Sequence, residues 1–128
     1  MAIFLEDLKN YLTGKGIANV QRDALPAEGE EAVGLFVLSH EVGEVNLGTG
    51  TRNVQVQVRA GTGDEAYALA HRIAALLDSG IDEELLTLSP GRWCIARPRK
   101  LPALLTAQQA GQGDVYGLEV AFFCENTP

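Results

Sequence analysis

The chain has 128 residues, and its 10 Lys and Arg stand against 17 Asp and Glu, for a formal net charge of −7. This length predicts a single domain over residues 1–128 whose core needs neither a metal nor a disulfide. The charge argues against a protein that coats nucleic acid unaided. The N-terminal segment MAIFLEDLKNYL carries Glu6 and Asp7 and has no long apolar run, so we expect a soluble cytoplasmic protein with neither a signal peptide nor a membrane span.

The first part of the chain predicts one helix and one strand. Apolar residues recur at helical spacing over residues 2–13, and Gly14 and Gly16 then allow the chain to leave the helix. After a charged, turn-rich segment, the apolar run 33–38 is the first predicted strand. Residues 40–50 are rich in glycine, and we expect them to form a long loop between antiparallel neighbours.

The segment from Thr51 to Gly80, TRNVQVQVRAGTGDEAYALAHRIAALLDSG, changes its hydrophobic period from every second residue to every third or fourth. Its first half predicts a strand, because side chains alternate between the two faces of a sheet. The core face carries Val54, Val56 and Val58, and the polar face, which we expect to be exposed, carries Gln55, Gln57 and Arg59.

The second half of this segment predicts a helix with a well-determined start. Thr62 and Glu65 match a capping box, and Gly80 is placed to end the helix. Its surface carries few charges; alanine's helix propensity and close packing against another subunit both explain this pattern. The predicted buried stripe is Ala66, Leu69, Ala70, Ile73 and Leu77, and the opposite face carries Ala68, Arg72 and Ala75 with His71 at its margin.

The last part of the chain predicts two further strands. Trp93 to Arg97 is the third strand, which Pro98 should end, and residues 97–102 (RPRKLP) form a basic loop. Residues 115–125 are the final strand, with Tyr116, Leu118, Val120 and Phe122 on one face. The order α-β-β-α-β-β predicts an α+β fold: a four-stranded, largely antiparallel sheet with two helices on one face.

No motif in the sequence predicts catalysis, a metal site or a cofactor. His40 and His71 are candidate bases, but neither lies in a recognisable motif. Cys94 and Cys124 lie in apolar contexts without metal-ligand spacing, which favours buried free thiols over a metal site or a redox pair. The acidic runs EGEE and IDEEL lack the ligand pattern of a calcium loop.

One stretch resembles a known family. The strand, glycine turn and helix of RNVQVQVRAGTGDEAYALAHRIAALLDS are similar to those of the minor capsid and tail-terminator proteins of long-tailed bacteriophages and prophages. The length and the order of elements fit the same family. The residues that carry the resemblance are Val54, Gln55, Val56, Val58, Arg59, Tyr67, Ala70, Ile73, Leu76 and Leu77.

The resemblance implies a tail-terminator-like fold and a structural virion protein without catalysis. Such proteins form a closed ring, commonly of six copies, at the head-proximal end of the tail. The ring caps the tail-tube protein and docks to the head connector and completion proteins, and DNA passes through its lumen without specific binding. Assembly would take place in the host cytoplasm.

A cyclic ring needs two different complementary patches on each protomer. The loops 40–50 and 97–102 are candidates for these contacts or for contact with the tail tube. The candidate interface side chains are Gln55, Gln57, Arg59, Ala68, Arg72, Ala75, Arg97, Arg99 and Lys100.

Two other functions stay open at this point. One is a small enzyme, or an accessory subunit of an enzyme, that uses His40 or His71. The other is a nucleic-acid-binding module that uses Arg97, Arg99 and Lys100. A salt bridge to an acidic neighbour is the favoured interpretation of these cations.

Overall fold

The computed structural model describes residues 2–42, 49–82, 84–89, 92–106 and 114–125. Within these ranges the chain forms two helices and six strands, and the strands join one sheet in the order β1-β2-β3-β6-β5-β4. β1 runs parallel to β2, whereas the other neighbours are antiparallel. The elements are α1 (Ala2–Gly14), β1 (Val20–Arg22), β2 (Ala32–Val42), β3 (Thr49–Arg59), α2 (Gly63–Leu76), β4 (Leu86–Ser89), β5 (Arg92–Thr106) and β6 (Val115–Glu125).

The prediction of a four-stranded sheet is wrong. The protein is mostly β, with a six-stranded mixed sheet that curls into a half-barrel, plus two helices. The strands missing from the prediction are the two edges, β1 with 3 residues and β4 with 4 residues. Neither strand is long enough to show a clear alternation of apolar and polar residues, and β1 buries only Val20. Their sequences therefore resemble turns.

The sheet curls around α1. Helix α1 contacts both edge strands, β1 and β4, and thereby occupies the space between the edges. Leu8 and Leu12 are fully buried on this helix, and the Phe4 ring packs edge-on against Phe122 of β6 with 5.2 Å between ring centroids. Both helices contribute to the same hydrophobic core as the inward side chains of β2, β3, β5 and β6.

The predicted end of the first helix is confirmed. Ile17 N–H donates to the Leu12 carbonyl and Gly16 N–H to the Thr13 carbonyl, both at 3.1 Å. This hydrogen-bond pair is the Schellman pattern, which requires a left-handed residue just after the helix. Gly16, with φ of 90°, occupies that position, and Ile17 and Leu12 are both buried beside it.

The second helix begins as predicted and ends earlier. The Thr62 hydroxyl accepts a hydrogen bond of 3.1 Å from Glu65 N–H, which is the threonine half of the capping box. The buried stripe on this helix is confirmed, including Leu77 just beyond its end. The helix ends at Leu76, and Gly80, with φ of 74°, instead belongs to the following turn, where its N–H donates to Asp78 Oδ1.

The predicted end of the third strand at Pro98 is wrong, and residues 97–102 are not a loop. β5 continues to Thr106, with shifts of register after Pro98 and after Lys100. Such irregularities tolerate proline, because a bulge does not need every ladder hydrogen bond. The predicted loop 40–50 is also shorter, since β2 extends to Val42 and β3 begins at Thr49; residues 43–48 lie outside the described part of the chain.

None of the helices that the structure describes is long and apolar enough to span a membrane.

Candidate interaction surfaces and a buried thiol pair

The polar face of β3 is half-buried rather than open. Gln57 Nε2 donates to Gln55 Oε1 at 2.9 Å, and Arg59 Nη2 donates to the Gly29 carbonyl at 3.3 Å. The segment before β2 crosses this face, because a Cβ on Gly34 would lie 2.7 Å from the Ala24 carbonyl oxygen. The candidate interface residues of β3 are therefore engaged within the protomer.

An apolar cluster occupies the same outer face of the sheet, opposite the helices. Ile95 of β5 and Phe123 of β6 are direct partners across the two strands, and Trp93 lies two residues before Ile95. Ile95 and Phe123 are half-buried, and Trp93 is 41% exposed. We call Trp93, Ile95 and Phe123 the outer cluster. The sequence alone does not predict this cluster, because the register between β5 and β6 brings Ile95 opposite Phe123.

The exposed side of α2 carries the second group of candidates. Ala68, Arg72 and Ala75 are all exposed. Arg72 Nη2 donates to the Lys15 carbonyl at 3.1 Å and so ties α2 to the turn after α1. Ala68 and Ala75 are small side chains, beside which another chain could pack closely.

An open groove lies between the end of α2 and strand β5. Its lining includes His71, Ala75, Ile81, Arg97 and Leu101, which we call the α2–β5 groove. Ile81 is 100% exposed and Leu101 is 71% exposed. The groove brings together two predicted candidates, Ala75 and Arg97, with the large apolar side chains of Ile81 and Leu101, which no sequence pattern marks as part of a site.

The remaining cations lie further along β5. Arg99 and Lys100 are exposed, and Lys100 Nζ lies 3.0 Å from Glu119 Oε2 of β6. This pair matches the salt-bridge interpretation of the basic segment. An exposed ion pair of this kind contributes at most about 1 kcal/mol to stability.

Of the two candidate histidines, the structure describes the side chain of His71 alone. His71 is exposed and packs edge-on against the Tyr67 ring with 4.4 Å between centroids. The side chain of His40 lies outside the described part of the structure, although its backbone pairs with Arg52 in the ladder between β2 and β3.

An acidic concavity lies at the start of α2. Glu28, Glu30, Glu31 and Glu65 line it together with Asn19. Asn19 Nδ2 donates to the carbonyls of Glu28 and Glu31 and so holds the turn between β1 and β2 in place. Among the residues that the structure describes, no group of three or more His, Cys, Asp or Glu side chains could hold a metal ion.

A buried cluster of ionisable groups lies on the inner side of the sheet. Cys94 of β5 and Cys124 of β6 are directly opposite each other, and both are free and buried. Arg52 of β3 is also buried, with its guanidinium carbon 4.8 Å from the centroid of the Phe4 ring. Arg52 Nε has no hydrogen-bond partner within the described structure.

The two thiols are electrostatically unlike. The hydrogen bond from Cys94 lowers the pKa of Cys124, and Arg52 lowers it further against the opposing effect of burial. The same hydrogen bond and burial raise the pKa of Cys94. The burial of both thiols agrees with the sequence prediction. Their position opposite each other on β5 and β6 could not be predicted, because their spacing in the sequence follows no motif.

No protein-family model matches this chain, and the search of curated proteins gives no match to its sequence.

Proposed function

We propose that the protein is a structural subunit of a long-tailed phage or prophage virion, a tail terminator or minor capsid protein that forms a ring. The strand, turn and helix of residues 51–80 support the proposal through their resemblance to that family. The proposal does not depend on the four-stranded sheet expected from the sequence, which the structure replaces by a six-stranded one.

The observation that carries the proposal is that one chain has two different surfaces with exposed apolar side chains, Trp93 on one and Ile81 and Leu101 on the other. The outer cluster lies on the sheet face away from the helices, and the α2–β5 groove lies beside α2. Neighbouring exposed apolar side chains mark interaction sites, and aromatic residues such as Trp93 are enriched in them. Two unlike surfaces favour a head-to-tail contact, in which the outer cluster of one copy meets the groove of the next.

A head-to-tail contact has a direct structural consequence. If the rotation between neighbours closes, the copies form a ring, and if it does not, they form an open filament. A ring with a lumen fits the proposed role between the tail tube and the head connector. The net charge of −7 would help DNA to pass such a lumen without binding.

The proposal is tested by measuring the mass of the full-length chain in solution and its binding to tail tubes. Size-exclusion chromatography with light scattering should show one discrete oligomer, and the oligomer should co-sediment with purified tail tubes of the phage or prophage that encodes the chain. A strict monomer at high concentration that also leaves tail tubes unbound would contradict both parts of the proposal. An oligomer that does not bind tail tubes would support self-association but contradict the tail-terminator role.

A further inference from the structure

The inner face of the sheet holds the one cluster in the described residues where two thiols and a buried cation meet. Cys94 is 0% exposed, Cys124 is 8% exposed and Arg52 is 4% exposed. Burying a guanidinium cation costs free energy unless an opposite charge or a hydrogen-bond acceptor compensates it. Arg52 contacts the Phe4 ring and the Cys124 sulfur. The thiol pair therefore offsets part of the free-energy cost of burying the Arg52 charge.

The backbone geometry allows the two sulfurs to bond. Cys94 and Cys124 are register partners in an antiparallel ladder, where opposite Cα atoms lie about 4.5–5.5 Å apart. This separation falls within the range of about 4.4–6.8 Å that disulfides span. A disulfide would therefore form without moving either strand out of the sheet.

The environment distinguishes the two sulfurs. Cys124 accepts the hydrogen bond from the Cys94 thiol and lies beside the Arg52 cation, both of which favour its thiolate form. The thiolate is the nucleophile in thiol oxidation. Cys124 is also the more exposed residue of the two, while burial and the hydrogen bond to Cys124 raise the pKa of Cys94.

We propose that Cys94 and Cys124 form a reversible intramolecular disulfide when the protein meets hydrogen peroxide, with Cys124 as the sulfur that reacts first. The Cys124 thiolate attacks one peroxide oxygen, the O–O bond breaks, and the departing hydroxide takes up a proton to leave water and a sulfenic acid on Cys124. The Cys94 sulfur then attacks the Cys124 sulfur, its proton leaves with the hydroxyl group as a second water, and the S–S bond forms. The two thiols are oxidised by two electrons, and one peroxide is reduced to two waters. This inference is independent of the proposed virion role.

The test uses the full-length reduced protein and its single-cysteine variants. After treatment with hydrogen peroxide, remaining thiols are blocked with N-ethylmaleimide in denaturant, and non-reduced peptides are analysed by mass spectrometry. In the wild type we expect a Cys94–Cys124 cross-linked peptide in the monomeric chain, the loss of both blocked thiols together, and their recovery with dithiothreitol. In Cys94→Ser we expect a sulfenic acid at Cys124 that dimedone traps.

The matched variant Cys124→Ser keeps Cys94 alone and should be oxidised at least about fivefold more slowly than Cys94→Ser, since the thiolate reacts and the thiol does not. In urea the two variants should be oxidised at the same rate, because the difference in rate depends on the folded environment of each thiol. Circular dichroism checks that each variant is folded. Equal rates for the two folded variants would overturn the order of reaction. Disulfides only between chains, or a folded wild type whose thiols stay unoxidised, would overturn the proposal as a whole.

Discussion

Replacing Trp93 by alanine should weaken self-association without unfolding the protomer. Trp93 is 41% exposed on the outer cluster, and a Trp side chain offers about 250 Å² of surface, so about 100 Å² of it is free to meet a neighbouring copy. At about 25 cal/mol per Å² of apolar surface removed from water, this area contributes about 2.5 kcal/mol to each interface. The dissociation constant of each contact should therefore rise by about 70-fold.

The assay is sedimentation velocity over a range of protein concentrations, comparing the wild type with Trp93→Ala. Thr13→Ala serves as the control, because Thr13 is exposed at the end of α1 and belongs to neither apolar surface. We expect the oligomer of the control to match that of the wild type. Because a ring repeats the same contact at every interface, the Trp93 variant loses this contact free energy once at each interface.

A mixing experiment tests the head-to-tail arrangement itself. Leu101→Asp disables the α2–β5 groove and leaves the outer cluster intact, whereas Trp93→Ala does the reverse. At a concentration where each variant alone is monomeric, their mixture should form a dimer and no larger species, because only one productive contact remains. Rings or filaments in the mixture, or an oligomer of Trp93→Ala as stable as the wild type, would refute the assignment of these surfaces.

Three further predictions concern the protomer. Leu8→Ala should lower the free energy of unfolding by about 2–5 kcal/mol in urea titrations, because Leu8 is 0% exposed on the helix between the sheet edges; a neutral result would contradict that packing. Thr62→Ala should cost about 1 kcal/mol by losing the α2 cap, and an unchanged midpoint would show that the cap contributes nothing. The Cys94 hydrogen bond and then Arg52 lower the pKa of Cys124, so its stabilising contribution is present above the ordinary thiol pKa of 9.0 and is lost as pH falls through the folded value. The wild type should therefore lose stability relative to Cys124→Ser as the pH falls below 9, and parallel pH profiles would exclude this linkage.

Long periodic elements were predictable, because their patterns reflect burial on one face. The strand with Val54, Val56 and Val58 and the start of the helix at Thr62 follow from residues close together in the sequence. The short edge strands β1 and β4 escaped prediction, since pairing with neighbours defines them and their own patterns do not. The continuation of β5 through Pro98 depends on bulges that the register of β6 sets.

The candidate site was predictable only in part, for a similar reason. Ala75 and Arg97 were candidates because of their residue types, but the groove that joins them depends on how α2 packs beside β5. The outer cluster and the thiol pair both depend on the register between β5 and β6, which places Ile95 opposite Phe123 and Cys94 opposite Cys124. No property of either strand alone determines that register.

The edges of the sheet explain why association should use side-chain surfaces. An exposed edge strand can pair with another chain through its free backbone groups, and short edges limit such pairing. Here β1 and β4 have 3 and 4 residues, and α1 contacts both of them. A contact through β1 or β4 would therefore gain few backbone hydrogen bonds. The outer cluster and the α2–β5 groove offer apolar area instead, so the stability of the oligomer should depend on Trp93 and Leu101 more than on any residue of the edge strands.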